Sequence, residues 1–223
     1  MVSQKSLPIF GLYDWEIPNT YFQHEELARE LTIVFPGYNY LTRMPLLYYP
    51  ARLMLSRRSD VLLVETHYAS QPEFAEMEEE EQEVWIFADT EAVWEQVWSQ
   101  RRYERITLIS KSMGGLAAAY LAATDPRMAD VTCVWLTPLL TSETFRTYVE
   151  QAAPRSLFIT GNADRYYSAH HLRALEEETR GDRLVFEHAD HSLELKNDVA
   201  GSIRILERVI QKINDFMNNA RIL

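Results

Sequence analysis

One cysteine among 223 residues leaves no partner for an intramolecular disulfide, and Cys133 alone excludes a zinc site built from several thiolates. Glycine is also scarce, with seven in all. The adjacent pair Gly114-Gly115 does not make a phosphate-cradling loop, so the nucleotide-binding fingerprints are missing. No window is long and apolar enough to read as a membrane span. The opening residues, MVSQKSLPIFGLYDWEIP, carry a lysine with no apolar run behind it, which argues against a signal peptide. Positive charge is in the minority: 22 Lys and Arg stand against 33 Asp and Glu, a formal net charge of −11. A surface of that sign repels phosphate backbones and anionic headgroups, so neither nucleic acid nor a membrane surface is an expected partner. A reducing, cytoplasmic setting is expected from the single thiol and the absence of a leader.

The chain does have enough apolar residues, 47% of the total, to build a sizeable core, and residues 1–223 are expected to form one domain. Short β-branched runs alternate with longer helical patterns. That alternation predicts an α/β fold with a mostly parallel central sheet flanked by helices. The runs at 31–36, 61–65, 106–110, 131–137, 156–160 and 184–187 are nearly continuous in apolar character, as expected of strands covered on both faces. Weaker signals at 7–13 and 20–24 predict an antiparallel edge. Trp94, Val97 and Trp98 share a helical face, and Val199, Ile203, Leu206, Ile210, Ile213 and Met217 recur at steps of four and three, which predicts a terminal amphipathic helix. The acids concentrate at 76–83, where the plainest reading is a solvated helix start or loop.

Chemistry concentrates at four places. In ITLISKSMGGLAAAY a buried strand runs through a tight turn into an alanine-rich helix, with Ser112 at the turn. A nucleophile there is pushed out of the sheet, and the helix start offers backbone N–H groups to a developing oxyanion. By itself the string is equally compatible with a turn and a helix cap. A serine also needs a base, and the base needs a group that holds it in the right tautomer. Asp164 lies in the turn GNADRYY, beyond the strand SLFIT, and His191 lies in ADHSL, after the strand LVFE. Both fall at the strand ends where open α/β sheets bind ligands. Asp164 also suits an Asx turn, and His191 also suits an ordinary loop. Finally, the Pro-Gly turn ending LTIVFPGY can aim the Tyr38 amide at the nucleophile, completing an oxyanion hole with the amide of Met113.

The ordered set FPGY, SKSMGG, GNADRYY and ADHSL resembles the α/β-hydrolase superfamily and spans roughly residues 31–193. The resemblance implies a serine hydrolase with Ser112 as nucleophile, His191 as base, Asp164 as the orienting acid, and Tyr38 with Met113 as oxyanion donors. Two positions depart from the family pattern: Pro36 replaces a frequent histidine before the glycine, and Ser110 replaces the first glycine of the elbow. Neither change removes a reacting group. The expected activity is cleavage of a small carboxylic ester or related acyl compound without metal or organic cofactor. A thioesterase, an amidase and a non-catalytic binding protein on the same fold are the alternatives. Only residues 138–155 separate two strands where such hydrolases often insert a cap, so a short helix at about 142–151 and a shallow pocket are expected. Tyr38, Tyr40, Met113, Leu139 and Leu140 are its candidate apolar contacts. Lys111, beside the nucleophile, is expected to face solvent or a neighbouring acid.

Overall fold

All six of the continuous apolar runs become parallel strands of one open sheet. The computed structural model describes residues 1–219. Its strands are β1 (Val2–Lys5), β2 (Asn19–His24), β3 (Glu30–Phe35), β4 (Ser59–Val64), β5 (Arg105–Lys111), β6 (Thr132–Leu136), β7 (Arg155–Gly161) and β8 (Asp182–Phe186). They lie side by side in the order β1-β2-β4-β3-β5-β6-β7-β8. Pairing is parallel from β4 through β8, while β1 with β2 and β2 with β4 are antiparallel.

Helices cover both faces: α1 (Pro45–Ser56), α2 (Pro72–Glu76), α3 (Glu79–Gln100), α4 (Gly114–Thr124), α5 (Glu143–Ala152), α6 (Ala169–Glu178) and α7 (Val199–Asn219). One apolar layer joins α3 to α6 with the sheet through Trp94, Leu116, Phe145 and Leu172. The other joins α1 and α7 through Leu47, Met54, Val209 and Ile213. Because successive strand side chains point to opposite faces, Leu108 enters the first layer and Ile109 the second. Both are sealed from solvent, and each such burial stabilises the fold by about 2 kcal/mol.

The structure corrects the sequence reading at several points. Residues 7–13 are not a strand: the antiparallel edge is β1 with β2, and Pro8 has no N–H to give a ladder. Instead the Asn19 side chain accepts from the Leu7 amide at 2.9 Å and donates to the carbonyls of Leu7 and Ile17. After the β3 turn the chain becomes helical from Pro45, where the ring occupies a first-turn position that needs no N–H. The terminal helix forms as expected, yet its buried stripe is Ile205, Val209, Ile213, Phe216 and Met217, while Val199 and Ile203 stay exposed. Helix α5 fills 143–152 but does not cap the sheet: Phe145 and Val149 face the core, with the Phe145 ring against Gly115 of α4.

The acidic run does start a helix. Glu78 caps α3, its side chain accepting from the Glu81 amide while the Glu81 side chain accepts from the Glu78 amide. Glu79, Glu80 and Glu81 fill the first turn, where the helix dipole favours negative charge.

Candidate active site

Ser112 follows β5 and adopts φ 52°, a left-handed conformation uncommon for a residue with a side chain. Its amide donates to the Leu136 carbonyl at 3.1 Å and its carbonyl accepts from Gly115 at 2.8 Å, so the strained residue is tied on both sides. Gly114 permits the turn by close approach: a Cβ there would sit 2.4 Å from the Pro36 carbonyl oxygen and 2.6 Å from that of Phe35. The crowding neighbour is therefore the end of β3. Ser110, in place of the family's first glycine, is fully buried, and its hydroxyl has no hydrogen-bond partner among the described residues.

The other two candidates arrive from β7 and β8. Gly161 ends β7, and a Cβ on it would lie 2.1 Å from the Ala189 carbonyl oxygen, so a side chain there would push away the loop that carries His191. The Ala163 amide donates to that same carbonyl at 3.1 Å and the Asn162 amide donates to Phe186 at 3.0 Å, docking the β7 turn against the histidine loop. Asp164 then divides its carboxylate. Oδ1 accepts from the Tyr166 amide at 2.9 Å, and Oδ2 accepts from His191 Nδ1 at 2.7 Å. The Asx turn and the histidine partner both exist in one residue.

With Nδ1 protonated to serve the carboxylate, Nε2 is left as an acceptor, and the Ser112 hydroxyl donates to it at 2.8 Å. Asp190 takes no part in this chain. Its carboxylate accepts from the amides of Ser192 and Glu194 at 2.8 and 3.0 Å and shapes its own loop. Gly37, just before Tyr38, comes close to the serine, a Cβ on it lying 3.4 Å from the Ser112 Cβ, and among the described residues the amides of Tyr38 and Met113 have no acceptor. An arrangement of this kind can move a proton from a hydroxyl to an imidazole.

Ser112 and His191 open into a cleft of about 560 Å³, within the range of small-molecule sites, while Asp164 is buried behind them. Tyr40, Met113 and Leu139 line it, as does Tyr38. Leu140 does not: it is 0% exposed and belongs to the core, and its carbonyl accepts from His171 Nδ1 and from Arg146. Of the expected cap segment only Leu139 reaches the cleft. The wall is formed by α2 and α3, through Ala75, Glu79, Gln82, Glu83 and Ile86, with Arg165 and Tyr166 also on the rim. Two acids of the run read as a solvated helix start, Glu79 and Glu83, therefore face the site. Burial pushes the Glu83 carboxyl upward, against the pull of a hydrogen bond from Thr144.

Lys111 also departs from expectation. It is 1% exposed, and its ammonium donates to Thr137 Oγ1 and to the backbone carbonyl of His191, each at 2.9 Å. Its residue type and position in the sequence carry no sign of this burial.

No protein-family model matches the chain, and no curated protein matches it. Solved structures do. An esterase of Pyrococcus furiosus superposes with a TM-score of 0.69 at 13% identity over 98% of this chain and 91% of its own. An α-β serine hydrolase homologue from Coxiella burnetii gives 0.65 at 15% identity, covering 93% and 96%. A cold-adapted esterase from an Arctic intertidal metagenomic library gives 0.65 at 13% identity, covering 93% and 92%. The chain has the α/β-hydrolase fold, with little sequence in common with these proteins. No helix among the described residues is long and apolar enough to cross a membrane.

Proposed function

We propose that the chain is a serine hydrolase that cleaves small carboxylic esters or related acyl compounds. The observation that carries this reading is the unbroken chain from Asp164 through His191 to Ser112, with 2.7 and 2.8 Å links, at the floor of an open cleft. In the first step His191 Nε2 takes the Ser112 proton as Oγ bonds to the acyl carbon, and the carbonyl electron pair becomes an oxyanion held by the amides of Tyr38 and Met113. The oxyanion collapses, the bond to the leaving group breaks, and the imidazolium returns the proton to that group. Water then attacks the acyl-enzyme, giving its proton to His191, and Ser112 departs with that proton as the acid is released. Asp164 holds the tautomer and balances the imidazolium charge. No step calls for a metal or organic cofactor.

The polar groups set among the cleft's apolar lining, Glu79, Gln82, Glu83 and Arg165, suit a short acyl chain better than a long alkyl tail. Cytoplasm is the compartment this reading assigns, supported by a single, buried thiol at Cys133. A fluorophosphonate probe tests the proposal: it should label the native protein and fail on Ser112→Ala. A native protein that resists the probe and turns over no member of a panel of acetyl to palmitoyl p-nitrophenyl esters and thioesters would instead be a binding module on this fold. A rate optimum at palmitoyl would overturn the short-chain assignment.

A further inference from the structure

Lys111 is among the largest side chains sealed inside the protein, although it stands one residue before the nucleophile. Burying an ammonium is costly unless its protons find acceptors. Its three contacts come from three separate loops. Thr137, just beyond β6, supplies the hydroxyl; the His191 carbonyl, beyond β8, supplies the second acceptor; and the Tyr40 ring, beyond β3, has its centroid 4.6 Å from Nζ. Thr137 itself sits at φ 43°, a genuine outlier for a β-branched residue, with its amide fixed to Ile159 by a 2.7 Å bond. A strained acceptor and a buried cation thus meet directly behind the site. The bond to the His191 carbonyl acts on the very residue whose ring must face Ser112.

We propose that Lys111 is a positioning residue whose ammonium ties the histidine loop to the nucleophile strand and thereby holds the His191 imidazole in line with the Ser112 hydroxyl. The inference rests on the hydrolase reading above. The charged and titratable groups facing the ammonium are Asp164 from the loop after β7, Asp190 and His191 from the loop after β8, and Tyr40, on whose hydroxyl Glu194 also acts. Burial pulls the Lys111 ammonium down to about 8, against the opposing pull of Asp164 and then Asp190. Burial pushes the Tyr40 hydroxyl upward, away from that range. As pH rises through about 8, Lys111 therefore loses its charge, the bond to the His191 carbonyl weakens, and kcat falls while substrate binding is spared.

The test compares kcat, KM and fluorophosphonate labelling rate from pH 6 to 10 in the native protein, Lys111→Met and Lys111→Arg. Lys111→Met should lose about 100-fold in kcat through misaimed imidazole. Its KM should stay within about twofold, and the alkaline limb near pH 8 should disappear. Lys111→Arg, which keeps its charge throughout, should recover about 10-fold of that loss and carry no limb below pH 10. Native kcat in Lys111→Met overturns the proposal. So does a lower kcat in that variant with the alkaline limb intact, since a purely structural loss would not remove the limb. If Lys111→Met fails to fold, a native profile with no descent between pH 7 and 9 overturns it as well. Labelling that persists in Ser112→Ala would sink the hydrolase reading instead.

Discussion

Each end of the sheet holds a buried aspartate beside a histidine, and the two pairs are connected differently. At the amino end Asp60, 0% exposed, accepts from Arg101 at 2.9 Å, from the Tyr103 hydroxyl at 2.8 Å, and from the amide and Nδ1 of His24 at 2.7 and 3.2 Å. Tyr21 and Tyr103 bond to each other above it. Each carboxylate oxygen there serves structure, and the cationic partner offsets the burial of charge. At the carboxyl end Asp164 has no arginine partner among the described residues. It gives one oxygen to its own turn and the other to His191, which passes the polarity on to a strained serine in an open cleft. A histidine and a buried carboxylate do not make a site. What distinguishes the carboxyl end is a hydroxyl on the far nitrogen of its histidine and a cleft in front of both.

The sharpest way to break the comparison is to remove the groups found only at the carboxyl end. Ser112→Ala and His191→Ala should each lower kcat by a factor on the order of 10⁶, because nucleophile and base act as one unit. Thermal unfolding should change little, and ester turnover near the native rate in either variant would refute the assignment. The two acids of that end should then separate. Asp164→Asn is expected to cost about 10⁴ in kcat through the wrong histidine tautomer, whereas Asp190→Asn, which alters only its own loop, should stay within about tenfold. The reverse ranking would make Asp190 the orienting acid.

At the amino end the effect should fall on stability. Asp60→Ala leaves Arg101 and two tyrosines without their acceptor and should lower the unfolding free energy by about 3–5 kcal/mol, read from urea denaturation. Its kcat, measured well below the midpoint, should match the native value, and a loss there would mean that the two ends are coupled. The smallest effect concerns the cleft wall. Glu83→Gln removes a negative charge facing the site, so kcat/KM for a succinate monoester should rise about fivefold relative to the butyrate ester. An unchanged ratio would put Glu83 outside the path of the acyl group.

Much of this was legible in the chain. The parallel strands and the residues of the Ser112, Asp164 and His191 chain announce themselves because strands buried on both faces are continuously apolar and because turns at strand ends have local signatures. Lys111 was not legible. Its partners lie 26 and 80 positions away, and a lysine written next to a serine looks the same whether it meets solvent or Thr137. The run at 76–83 predicts a helix start wherever it lies, but which face of that helix meets the cleft depends on how α3 crosses the sheet. Val199 and Ile203 continue an apolar stripe that in the fold borders an open groove, so periodicity identified the helix and its start but not that its first turns stay exposed. Leu140 and Leu139 are adjacent and equally apolar, and the turn after β6 sends one into the core and the other to the cleft. Local pattern, then, determined most of the elements and the order in which Ser112, Asp164 and His191 follow them, since each depends on a few neighbouring residues. Which side chains seal the site, which wall it and which hold its histidine in aim were decided only by the tertiary structure, because those contacts join segments that nothing in the sequence brings together.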